Sequence, residues 1–197
     1  KGGSLWVHKA THHFDLVNWW INADPVEVSA LGSLNVYGKA GTIRGKNCRS
    51  CEHKTTCKFY WDITKNDRLT KLYPECEDVD GYYRDGCVFR EDCDIYDSMS
   101  AIVKYSNGVN MSYSLNAHEP FEGYRIAFNG TKGRMEVRDY ERQSWEKEHR
   151  TDVSVAVNWG ERKQIEIPIV SGGHGGGDDR LRDAIFKNAP MPDILKL

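Results

Sequence analysis

The sequence predicts an α+β fold: a largely antiparallel open sheet with helices packed on one face, plus a Cys-rich insertion. Three observations predict it. An amphipathic helix comes first, alternating segments joined by tight turns follow, and all six cysteines fall between residues 48 and 93. Helix first and hairpin-linked strands afterwards is the order of an α+β domain.

Each element has a local signal. Residues 11 to 22 carry Leu16, Val17, Trp20 and Ile21 on one apolar face, with Thr11 as N-cap and Asp24-Pro25 as the stop. From Val26 the period changes to two, with Val26, Val28 and Ala30 on one side of a strand. Residues 38 to 97 are rich in Gly, Cys, Asp and Lys with weak periodicity, and read as an insertion or extended loop. Alternation returns from Met99 to Tyr105, turns at Ser106-Asn107-Gly108, and runs back from Val109 to Leu115. A second hairpin joins Tyr124–Phe128 to Arg134–Arg138, and two more strands are expected at Val153–Val157 and Gln164–Val170. Asp178 or Asp179 is expected to cap a last helix bearing Leu181, Ile185 and Phe186. No internal repeat is visible.

The 197 residues are 39% hydrophobic and 28% charged, with net charge −2. That suits one core-forming domain over residues 1–197. The charges are mixed along the chain, so no basic stripe points to nucleic acid. The longest apolar runs are too short to span a bilayer. The chain opens at Lys1-Gly2-Gly3-Ser4 without a Met, and reads as a fragment of a longer protein.

The densest chemistry lies in His8-Lys-Ala-Thr-His-His-Phe-Asp15. At helical spacing His8, His12, Asp15 and Trp19 share a stripe, while Lys9 lies off it and His13 turns toward the apolar side. One such histidine alone would be a surface group. Together, a neutral imidazole beside a carboxylate makes a usable acid–base group near neutral pH. His8-x3-His12 has zincin spacing, but Lys9 stands where that motif has its glutamate.

Two other segments carry candidates. Gly172-Gly-His-Gly-Gly-Gly-Asp-Asp179 is a glycine loop between a strand and a helix, but its acids replace the third glycine of a dinucleotide fingerprint. It is either a flexible loop with a helix cap or a cradle carrying His174 over a polar ligand. Cys48, Cys51, Cys57 and Cys87 suit tetrahedral thiolate coordination of a structural zinc. Disulfides of an exported protein are the alternative, and iron–sulfur ligation a weaker one. The compartment stays open with them: cytoplasmic if the thiols bind metal, exported or periplasmic if they are disulfides. Asn110-Met-Ser and Asn129-Gly-Thr match the glycosylation pattern but sit in hairpins, and no function is assigned to them.

Taken in order, several segments resemble the Gfo/Idh/MocA family of NAD(P)-dependent sugar and polyol oxidoreductases. They are His8–Asp15 with Trp19-Trp20, Pro25-Val-Glu-Val-Ser-Ala30, Tyr113-Ser-Leu115, Tyr124–Gly133 and Gly172–Asp178. The resemblance implies a C-terminal α+β domain that handles substrate and packs through its sheet in a homo-oligomer. An N-terminal Rossmann domain, absent here, would bind NAD or NADP, so this chain carries no cofactor-binding residue. The family's Asp-x3-His pattern, followed three residues later by Asp, falls on His8, His12 and Asp15. A histidine thus replaces the usual first aspartate, which leaves Lys9 as a further relay candidate. By resemblance His12 exchanges the proton of a substrate hydroxyl and Asp15 orients it. His13, Tyr124, Arg125 and His174 would contact the sugar or polyol. A redox-assisted glycosidase of the same family and a non-catalytic, metal-stapled binding domain are the alternatives. The isolated chain is expected to be inactive.

Overall fold

A computed structural model describes residues 4–143, 145, 149–168 and 170–190. The chain forms two compact units, Lys1–His118 and Glu119–Leu197.

In the first unit the helix starts earlier than its sequence signals imply. A π-helical turn, Trp6–Ala10, runs directly into α1, Thr11–Ile21. Thr11 is therefore inside the helix, and its hydroxyl donates back to the Val7 carbonyl at 3.0 Å instead of capping. The helix ends at Asn22, which adopts the left-handed conformation (φ 46°, ψ 53°) and closes the last turn. The Asn107 side-chain amide donates to the Ile21 carbonyl at 3.1 Å, so the following hairpin turn holds this helix end. Asp24-Pro25 thus opens the next strand and does not terminate the helix.

Strands β1 (Pro25–Ser33), β2 (Ser98–Tyr105) and β3 (Asn110–Asn116) form an antiparallel sheet in the order β1-β2-β3. Gly108, at φ 86°, makes the tight β2–β3 turn. β2 alternates strictly: Met99, Ala101, Val103 and Tyr105 are buried, whereas Ser100, Ile102 and Lys104 are exposed. Burying each of the larger side chains contributes about 1.5–3 kcal/mol. Phe14 and Trp6 pack on Tyr113 of β3, with ring centroids 4.8 and 6.2 Å apart, and fix the helix on this face. Among the described residues the opposite face is uncovered within the unit: Leu31 is 80% exposed and Ile102 63%.

The insertion between β1 and β2 is structured rather than extended. It contains α2 (Asp67–Leu72), α3 (Glu77–Asp80) and short 3₁₀ turns around a small core of its own. Ile63 is fully buried there, and Tyr37, Phe59 and Phe89 meet edge-on at 5.7 and 5.3 Å. Asp97 closes its neck. That buried carboxylate accepts the amide N–H groups of Asn35, Val36 and Tyr37 at 2.7–2.9 Å, and the Ser98 hydroxyl at 3.0 Å. Burial works against the charge, yet these donors prevail and hold the carboxyl below the usual range.

The second unit is a four-stranded antiparallel sheet in the order β4-β5-β6-β7. Its strands are β4 (Phe121–Gly130), β5 (Gly133–Gln143), β6 (Arg150–Val157) and β7 (Arg162–Ile165). The strand expected at 164–170 begins earlier and pairs only over Arg162–Ile165. Pro168, which lacks an N–H, stands in the expected run, and Ile169 lies outside the described residues. α4 (Gly177–Phe186) is preceded by Gly176 at φ 83° with no side-chain cap. Asp178 and Asp179 therefore occupy its first turn, where they complement the helix dipole, and neither is the cap.

Candidate active site

The polar stripe belongs to the first unit. His8 lies within the π-helical turn, not ahead of the helix, and His12 and Asp15 lie on α1. All three side chains and that of Lys9 are exposed. Among the described residues, His8, His12 and Asp15 make no side-chain hydrogen bond or ion pair, so the expected Asp15–His12 contact is not formed.

His13, one position on, is placed differently. Its Nδ1 lies 2.9 Å from the Tyr113 hydroxyl, and its ring stands 5.9 Å from that of Tyr113. Burial pushes the Tyr113 phenol up to about 12, so it stays protonated at ordinary pH. His13 thus ties the helix to the sheet. The two adjacent histidines point about 100° apart around a helix, which sends one to solvent and the other to the aromatic cluster.

His8 also lines a cavity of about 550 Å³. Tyr73, Asp80, Tyr82 and Arg84 of the insertion line it with His8. Sequence reasoning missed these four. They lie within twelve positions of a segment without periodicity, and no motif connects them to residue 8.

The other expected contacts belong to the second unit. Tyr124 is half-buried on β4, and burial pushes its phenol up, with Asp139 and Glu141 adding to the effect. The Arg125 guanidinium pairs with Glu136 at 3.5 Å, and Glu136 also takes Arg134 at 2.7 Å and Arg162 at 3.6 Å. Arg125 is thereby one member of a cross-strand charge ladder. His174 adopts the left-handed conformation at φ 50° and pairs with Asp178, Nδ1 to Oδ1, at 2.8 Å. The glycine segment is a wound turn entering α4, with Gly172, Gly175 and Gly176 all at positive φ.

All six cysteines are free thiols. Among the described residues no group of three or more His, Cys, Asp or Glu side chains is arranged to hold a metal, so the expected four-thiolate set is not assembled. The backbone nevertheless brings parts of it near one another. The Cys48 amide donates to the Asp85 carbonyl at 2.8 Å and the Cys87 amide to the Lys46 carbonyl at 3.1 Å, either side of the Asn47–Gly86 bridge. Burial pushes the Cys48 thiol up; a Trp61 amide hydrogen bond opposes this, and Asp85, Cys87 and Cys57 reinforce it.

Comparison with known proteins decides the lineage. A family model described as "Oxidoreductase family, C-terminal alpha/beta domain" matches residues 1–191. The chain belongs to the Gfo/Idh/MocA oxidoreductase family. It is also 37% identical over 205 aligned positions to the Bacillus subtilis (strain 168) protein named "Putative oxidoreductase YteT". That alignment covers 93% of this chain and 46% of the relative, so the chain spans less than half the length of the curated relative it matches.

Family membership raises the question of a dinucleotide, and the described glycine segment does not fit one. Asp178 and Asp179 occupy the first turn of α4, and His174 is tied to Asp178. Two carboxylates at a helix N-terminus repel a pyrophosphate. What this domain presents instead is the exposed imidazole and carboxylate stripe of α1.

Proposed function

We propose that this chain is the substrate-handling, acid–base domain of an NAD(P)-dependent sugar or polyol oxidoreductase. His12 would exchange the proton of the substrate hydroxyl. The observation that carries this reading is a contrast along the first helical segment: His13 is part-buried against Tyr113, while His8, His12 and Asp15 remain exposed and unpaired on the family's oxidoreductase domain.

The chemistry assigned to this chain is the proton half of the reaction. A nicotinamide held by residues outside this chain supplies the hydride acceptor. His12 accepts the hydroxyl proton as the carbinol carbon becomes a carbonyl, and returns it in reverse. Asp15, three residues on, stabilises the imidazolium once substrate excludes water from the stripe. A positioned acid–base group of this kind contributes about 10²–10⁴ in rate. The uncovered face of the β1-β2-β3 sheet, with exposed Leu31 and Ile102 among serines, is our proposed contact surface for a second copy.

The test is turnover of the full-length protein on a panel of sugars and polyols with NAD or NADP. A dehydrogenase accumulates NADH or NADPH with substrate. Sugar release from a glycoside without net reduced cofactor identifies the glycosidase variant instead. Neither product, with correctly folded protein across the panel, contradicts the oxidoreductase reading.

A further inference from the structure

The cysteine-rich insertion places a second set of side chains beside the helix that bears the polar stripe. We infer that Tyr73, Asp80, Tyr82 and Arg84 form the specificity wall of a binding site for a sugar or cyclitol ring, with His8 on its catalytic side. The inference rests on the oxidoreductase reading for what happens to the ring, but not for whether the ring binds.

The geometry suits such a ring. The cavity, about 550 Å³, falls within the size range of small-molecule sites. Tyr73 and Tyr82 stand edge to face with centroids 6.1 Å apart, giving an aromatic corner for the C–H face of a ring. The Arg84 guanidinium lies 5.4 Å from the Tyr73 ring centre and donates to the Tyr82 hydroxyl at 3.3 Å. Stacked in this way, its planar fork is held in one orientation for oxygen acceptors. Asp80 accepts the Tyr82 amide through Oδ1 at 2.9 Å, which fixes the carboxylate beside the same corner. Aromatic surface, a fixed fork of donors and an acceptor together match a ligand with one apolar face and several vicinal hydroxyls.

The wall is also anchored. Arg49 reaches from the Cys48–Cys51 loop to Glu77 of α3 and to the buried Asp85, the latter at 2.9 Å. Glu77 is three residues from Asp80 and Asp85 adjoins Arg84, so the folded insertion sets the wall's position. Gly81, at φ 68°, turns the chain between them.

The test is ligand-observed saturation-transfer NMR on the full-length protein. The probes are glucose, galactose, xylose and myo-inositol, each at millimolar concentration. Wild type is expected to bind at least one probe. Arg84→Lys, which keeps the charge but loses the fork, and Tyr73→Ala should each weaken that binding at least fivefold, whereas Tyr73→Phe should retain it. Thermal melts within a few degrees of wild type exclude unfolding, and Arg84→Lys carries the test if Tyr73→Ala fails to fold. Binding unchanged in folded Arg84→Lys, or no binding of any probe by wild type, overturns the inference. Binding that depends on Arg84 without any cofactor reduction leaves the wall in place and sinks the oxidoreductase reading instead.

Discussion

Tyr113 sits where His13, Phe14 and Trp6 converge, and burial holds its phenol at about 12, above the ordinary 10.0. The sign of the linked stability follows. A group whose folded value is raised contributes stability that is fully present below pH 10 and is lost as pH rises from 10 toward 12. Spectrophotometric titration should therefore show tyrosine ionisation extending to about two pH units above the ordinary value, and Tyr113→Phe should reduce that late phase by one tyrosine. If every tyrosine of the native protein titrates near 10, the buried contact is absent. Asp97 has the opposite sign, its carboxyl being held below 3.8. Its contribution is present above pH 3.8 and is lost as pH falls below it. Asp97→Ala leaves three amides without their acceptor and should cost about 3 kcal/mol in denaturant unfolding. A loss under about 1 kcal/mol would mean that the neck is held by something else.

At the scale of elements, the strands were legible because period-two alternation is a strong signal. Met99–Tyr105 and the Asn107-Gly108 turn fell where the pattern put them. The helix start was misplaced: Ser4 marks it, its hydroxyl oxygen accepting the Val7 amide at 3.3 Å, while Thr11 imitates an N-cap and bonds backward to Val7. The polar stripe was readable from spacing, but the packing partner of His13 was not, since Tyr113 lies 100 residues away. The Tyr73–Arg84 wall was hidden for the same reason: its members meet His8 only through the fold. Within the insertion, burial pushes the thiols of Cys48 and Cys93 up, whereas Cys76 is exposed. A raised value means less thiolate at pH 7.5, so iodoacetamide should modify Cys76 well before Cys48 or Cys93. Mass spectrometry of a time course reads the order directly, and Cys48 reacting first would contradict the packing around it.

At the scale of the whole molecule, surfaces that hold the protein together differ from surfaces it offers. The β1-β2-β3 sheet buries one face under α1 and leaves Leu31 and Ile102 on the other. If that face meets a second copy, Leu31→Glu with Ile102→Glu should halve the solution mass measured by light scattering. The melting temperature of the monomer should fall little, because neither side chain belongs to the core. An unchanged mass would remove the sheet from the assembly. The proposed catalysis rests on the same distinction, drawn between two adjacent histidines of α1. The most direct measurement compares His12→Ala and His13→Ala in the full-length protein, reading turnover and melting temperature together. His12→Ala is expected to lower kcat at least about 100-fold with an unchanged melt, and His13→Ala to lower the melt by several degrees. A His12→Ala enzyme retaining more than about a tenth of wild-type turnover would contradict the acid–base role of His12.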